Sequence, residues 1–129
     1  MYRRLTIIFV LAFALDWLWE NLHAPLYLNY KGGPVTEWIL TRAAFWDAVI
    51  ITALAIIFLC IEYFRKNLWW ALVSGIAIAA AMEKWALATE RWAYGPHMPI
   101  IPVLGTGLTP TIQLGLIAFC IFYFVLRNK

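Results

Sequence analysis

The chain has 129 residues and a net charge of +3; 64% of its residues are hydrophobic, 13% are charged, and its mean hydropathy is +0.78. A soluble globular chain carries about 25% charged residues, so this one has too little charge to coat a water-facing surface. Disorder, a coiled coil and a disulfide-stapled secreted domain are excluded together, leaving one integral membrane domain over residues 1–129.

A helix needs about 20 largely apolar residues to cross about 30 Å of hydrocarbon. Four segments qualify: 5–22, 45–64, 68–88 and 109–126. The expected fold is therefore all-α, a four-helix transmembrane bundle. The first segment opens like a signal peptide, with Arg3 and Arg4 before an apolar run that contains Ala12-Phe13-Ala14. The run continues through Trp17, Leu18, Trp19 and Leu22, so it reads as a retained span. The short turn Arg65-Lys66-Asn67 predicts a tight antiparallel hairpin of the second and third helices. Gly75 and Ala79, four apart on the third, let helix backbones approach closely.

The connections 23–44 and 89–108 are longer. Thr89 to Pro110 holds four of the six prolines and three of the seven glycines, yet is apolar. Proline fixes φ and removes an N–H donor. An extended loop over the bundle is expected before the last helix, tolerated where protein or water satisfies its backbone. It reads either as an interfacial connector or as a lid that aims Tyr94 and His97 into a pocket.

Charges divide by side. Arg3, Arg4, Arg65, Lys66, Arg127 and Lys129 share one side with a single acid, Glu62. The other side has Lys31, Arg42, Lys84 and Arg91 against Asp16, Glu20, Glu37, Asp47, Glu83 and Glu90. Lys and Arg favour the cytoplasmic face, so both termini are expected there, in a bacterial or archaeal plasma membrane. No basic run exceeds two residues, which argues against nucleic acid as a partner. Cys60 and Cys120 lie in apolar runs with neither metal-ligand nor redox spacing.

Asp16, Glu20 and His23 are spaced i, i+4, i+7 and share one helix face. At 1.5 Å per residue Asp16 lies roughly 16 Å from Leu5, near mid-bilayer. Glu83 lies at a depth comparable with Glu20, and Glu90 follows seven residues on. Asp47 sits near the outer end of the second helix and Gln113 one turn into the fourth. An ionisable group at the bilayer centre costs about 2.5–3.5 kcal/mol, so such residues face a bundle interior. They either pair with Arg42, Lys84, Arg91 or His23 to set helix register, or they line a polar pocket. In the second case Glu20, Glu83, Asp16 and His23 are the catalytic candidates. Trp17, Trp85, Trp92, Tyr94, His97, Gln113 and Asp47 are then the substrate-binding ones. Glu20-Asn-Leu-His23 is one E-x-x-H half of a carboxylate di-iron motif, whose full site needs two such halves and two more Glu. His97 has no such partner, so no metal and no cofactor are expected; an oligomer could supply a second half.

Glu83, then Glu90-Arg91-Trp92-Ala93-Tyr94, then the Pro/Gly-rich run from Pro102 through Gly105 to Pro110, resemble the carotenoid end-group enzymes: the lycopene cyclases of the small heteromeric type and the related carotenoid hydratases. The resemblance implies a cyclase, isomerase or hydratase acting on an isoprenoid without a redox cofactor. Glu83 or Glu20 would donate a proton to an alkene and the other carboxylate would remove one. Trp17, Trp85 and Trp92 would face the cation, as Trp rings do. The expected function is thus an intramembrane enzyme acting on a bilayer lipid or isoprenoid. Two other classes stand beside it: a small proton-coupled transporter, and a non-catalytic subunit binding partner helices. A homo-oligomer or a partner membrane subunit is compatible with each.

Overall fold

A computed structural model describes residues 1–127; Lys129, counted above on the basic side, lies outside them. In chain order come α1 (Tyr2–His23), a single 3-10 turn (Ala24–Leu26), β1 (Tyr27–Tyr30), α2 (Glu37–Cys60), α3 (Glu62–Lys66), α4 (Trp70–Ala88), β2 (Trp92–Tyr94) and α5 (Leu108–Leu126). The helices α1, α2, α4 and α5 are each long and apolar enough to cross a membrane. Their outward faces expose Val10, Leu18, Ile57, Val73 and Phe124. Such a surface suits hydrocarbon, because water would charge about 25 cal/mol for each Å² of it.

The second span begins about two turns before the expected Phe45. Thr36 Oγ1 accepts from the Ile39 N–H at 3.3 Å, and Glu37 sits in the first turn. A hydroxyl cap and an early acid are helix-start signals that an apolar window overlooks. At the other end α2 stops at Cys60, because Ile61 is extended (φ −114°, ψ 109°). The guanidinium of Arg65 donates to the Leu59 carbonyl at 2.6 Å, satisfying an acceptor left over at the helix end. The expected three-residue turn is therefore a longer segment that contains α3, stapled by a Glu62–Lys66 ion pair. Lys66 and Arg65 hold the exposed Glu62 carboxyl below its ordinary pKa.

The tight hairpin of consecutive spans does not form. α1 packs on α2, α4 packs on α5, and the two pairs join chiefly through α1 and α5. The reason is the small-residue stripe of α4, which is spent on α5 instead of α2. Ala71, Gly75 and Ala79 are buried, and a Cβ on Gly75 would stand 2.2 Å from Gly115 Cα. Below this crossing Phe58 and Phe122 pack at 5.2 Å between centroids, amid Ile8, Ile51 and Ile121.

The fold is mostly helical, as expected, and a small two-stranded antiparallel sheet is added to the helices. β1 and β2 pair Tyr27 with Tyr94 and Tyr30 with Trp92. Both strands leave helix ends at the same end of the bundle, where ladder hydrogen bonds satisfy backbone groups that have left the helices. Lys31 (φ 51°) and Gly32 (φ 78°) form the tight turn after β1, closed by reciprocal Tyr30–Gly33 bonds. The Pro/Gly-rich segment folds back on itself, with Ile101 N–H donating to Thr106 (2.9 Å) and Leu108 N–H to Pro99 (2.7 Å). Its prolines and glycines serve this turn-back, and Met98 and Thr106 anchor it by burial.

Candidate functional site

Because α2 and α4 diverge, a cleft opens between them at the sheet-capped end. It holds a cavity of about 460 Å³. Glu20 of α1, Asp47 of α2, Glu83 of α4 and Gln113 of α5 reach it from four helices. Tyr27 and Tyr30 of β1, and Trp92 of β2, lie over it, and Trp46 and Trp85 flank it. The cavity is thus bounded laterally by α2 and α4.

Glu83 is 5% exposed. Its Oε1 accepts from three donors: Tyr94 Oη at 2.5 Å, Trp92 Nε1 at 3.3 Å and Tyr27 Oη at 3.4 Å. All three come from the sheet, so strand pairing builds this half of the site. Tyr94 in turn accepts from the Gly107 N–H at 2.9 Å, tying the carboxylate to the start of α5. Burial and the nearby Glu83 charge raise the Tyr27 phenol well above its ordinary value. The same two causes, joined by the hydrogen bond to Glu83, raise that of Tyr94. Both phenols therefore serve Glu83 as donors.

The second half is a carboxyl–amide cluster. Gln113 Nε2 approaches Asp16 Oδ1 at 3.0 Å, Glu20 Oε1 at 3.1 Å and Asp47 Oδ2 at 3.2 Å. A side-chain amide has two protons to give, and three oxygens come to it. One contact lacks a donor unless a carboxyl brings its own proton. Asp16 is fully buried and, among the described residues, its Oδ2 has no partner. Glu20 Oε2 also meets His23 Nε2 at 2.9 Å, and His23 Nδ1 meets Thr109 Oγ1 at 3.0 Å. A continuous chain of polar contacts thus runs from Thr109 through His23, Glu20 and Gln113 to Asp47.

A basic rim overlies the acids. Arg42 and Arg91 each direct an Nη2 at the Tyr30 hydroxyl, at 3.0 and 3.5 Å. Arg91 also lies over Trp85, 4.9 Å from the ring centroid. Desolvation pushes the Tyr30 phenol up, but the Arg91 hydrogen bond and the charges of Arg42, Arg91 and Lys31 prevail and hold it below its ordinary value. None of the expected cations Arg42, Lys84 or Arg91 pairs with Glu20 or Glu83; among the described residues only His23 does, with Glu20.

Of the candidates read from sequence, Glu20, Glu83, Asp47, Gln113, Trp85 and Trp92 line the cavity, with Asp16, His23 and Tyr94 one contact behind. Trp17 and His97 are corrections. Trp17 is 40% exposed, because the residue after Asp16 points about 100° away from the inward face. His97 is exposed while its neighbour Met98 takes the interior. Glu90 leaves the Glu83 face as well, since α4 ends at Ala88 and Glu90 has φ 59°. The sheet, rather than the Pro/Gly-rich segment, lies over the cavity, although Pro110 reaches it. Tyr27 and Tyr30 were not singled out as site residues, and loop tyrosines carry no spacing signal that would mark them. No group of three or more His, Cys, Asp or Glu is arranged to hold a metal ion among the described residues. No family model, no curated protein and no solved structure matches the chain.

Proposed function

We propose that the protein is an intramembrane enzyme that moves protons on an unsaturated lipid or isoprenoid by carboxyl acid–base chemistry. The observation that carries this reading is that two unlike carboxyl environments share one cavity: Glu83, surrounded by donors, and Glu20 with Asp47, which share the single amide of Gln113. On this reading Glu20 or Asp47 gives its proton to an alkene carbon. The cation that forms on the neighbouring carbon lies among the faces of Trp46, Trp85 and Trp92, which attract positive charge. Glu83 then takes a proton from an adjacent carbon. One C–H bond forms and another breaks, so a double bond moves or a ring closes with no net oxidation. The His23–Thr109 contact gives the acid side a route for proton return.

Glu83→Gln tests it, because the amide oxygen keeps the three donors while proton removal is lost. The protein is reconstituted in ²H₂O with an unsaturated isoprenoid extract, and deuterium uptake is read by mass spectrometry. Wild type is expected to incorporate deuterium and Glu83→Gln at least about 100-fold less, with its thermal midpoint held. Equal uptake by the two sinks the assignment. Substrate flux across the vesicle without deuterium uptake points to the transporter instead.

The charge distribution supports a placement with both termini in the cytoplasm and the cavity at the outer face. In a background with Cys60 and Cys120 replaced by Ala, Gly33→Cys is expected to react with an impermeant maleimide added to intact cells. Labelling only after lysis reverses the orientation.

A further inference from the structure

Two guanidinium groups converging on one neutral oxygen, with no acid beside them, are costly, since like charges repel. Among the described residues no carboxylate lies within 4.0 Å of Arg42 or Arg91, and both point at Tyr30 Oη. Lys31 adds a third cation 5.7 Å from the Tyr30 ring. Each guanidinium has five N–H donors, and Tyr30 engages one nitrogen of each. Such planar forks match the oxygens of a phosphate. A phosphate monoester, with about −1.5 to −2 charges, would offset most of the rim.

The cleft has apolar walls that include Ile39, Leu40, Ala79, Met82 and Leu114. Glu20, Asp47 and Glu83 share that lining and disfavour an anion beside them, so the charged end of an amphiphile is favoured at the arginines and its chain within the cleft. Free phosphate would leave the apolar wall unfilled, and a neutral lipid would leave the arginines without a counter-ion. Resting on the acid–base reading above, we propose that Arg42, Arg91 and Tyr30 hold the phosphate headgroup of a membrane amphiphile whose hydrocarbon chain enters the α2–α4 cleft. The substrate class is then an isoprenoid or lipid phosphate, with its reacting double bond at the level of the carboxyl groups.

The test uses farnesyl phosphate, farnesol and inorganic phosphate on the full-length protein in detergent micelles. Binding is read from the fluorescence of Trp46, Trp85 and Trp92, which line the cavity. Farnesyl phosphate is expected to bind at least about tenfold tighter than farnesol, and inorganic phosphate should not displace it. An R42Q/R91Q double variant should lose that advantage and bind both at the farnesol level. Arg42→Gln alone, at an exposed position, provides a partial loss if the double variant does not fold. Equal wild-type affinities for the phosphate and the alcohol overturn the proposal. So does an equal weakening of both by the variants, or displacement by inorganic phosphate, which would assign a free-anion site. The two readings fail separately: deuterium uptake by farnesol with no preference for its phosphate removes only the headgroup inference. Phosphate-selective binding with deuterium uptake equal in wild type and Glu83→Gln removes only the acid–base reading.

Discussion

Gly75→Ala is expected to be among the most damaging single changes in this protein, although it adds only one methyl group. The new Cβ would fall 2.2 Å from Gly115 Cα, 2.4 Å from its nitrogen and 2.9 Å from the Leu114 carbonyl carbon. All three atoms are backbone, so no side chain can swing aside and the helices themselves must part. Overpacking of a core typically costs 1–3 kcal/mol, and a backbone-to-backbone clash belongs at about the top of that range or above it. Gly115→Ala should behave alike, since its Cβ would meet the Leu72 carbonyl oxygen at 2.4 Å. The consequence reaches the site, because α4 carries Glu83 and α5 carries Gln113. Thermal unfolding of the purified variants, followed by size-exclusion chromatography, checks this. A Gly75→Ala protein with an unchanged midpoint would show that α4 and α5 do not cross there.

Gln113→Leu tests the other half of the design. Leu fills a similar volume in a position that is 4% exposed, so packing is nearly conserved while the only amide among three carboxyl groups is removed. Leaving buried polar groups without partners costs about 1–3 kcal/mol each; the two protons of the amide are lost to the cluster, while Glu20 keeps His23 at its other oxygen. A loss of about 2 kcal/mol or more is expected. Replacing Asp16, Asp47 and Gln113 together by Leu should recover much of that stability, since well-packed apolar residues can replace a buried polar set at little cost. The same triple variant should be inactive if the cluster supplies protons. A Gln113→Leu protein as stable as wild type would mean that the carboxyl groups do not converge on this amide.

The bundle, its spans and the polar character of one end were legible in the amino-acid sequence. Hydropathy and the roughly 20-residue requirement for crossing a bilayer act locally, so the four helices could be read without knowing their neighbours. The inward face of α1 was legible for the same reason, because 3.6-residue periodicity places Asp16, Glu20 and His23 together. Boundaries set by capping were missed, as at Thr36, where a polar first turn extends the helix beyond its apolar stretch.

What only the tertiary structure decided is which helix meets which. Chain adjacency suggested α2 against α4, but the Gly75–Gly115 contact gives α4 to α5, and the vacated side of α4 becomes one wall of the cavity. The partners of the charged groups followed from that choice. The acids and cations share one end of the chain's fold, and composition predicts ion pairs between them. The strands that leave α1 and α4 instead pair with each other, carrying Tyr27, Trp92 and Tyr94 onto Glu83 and holding Arg42 and Arg91 at Tyr30. Partner choice of this kind is a non-local competition among donors brought together by packing, and no single stretch of sequence contains it.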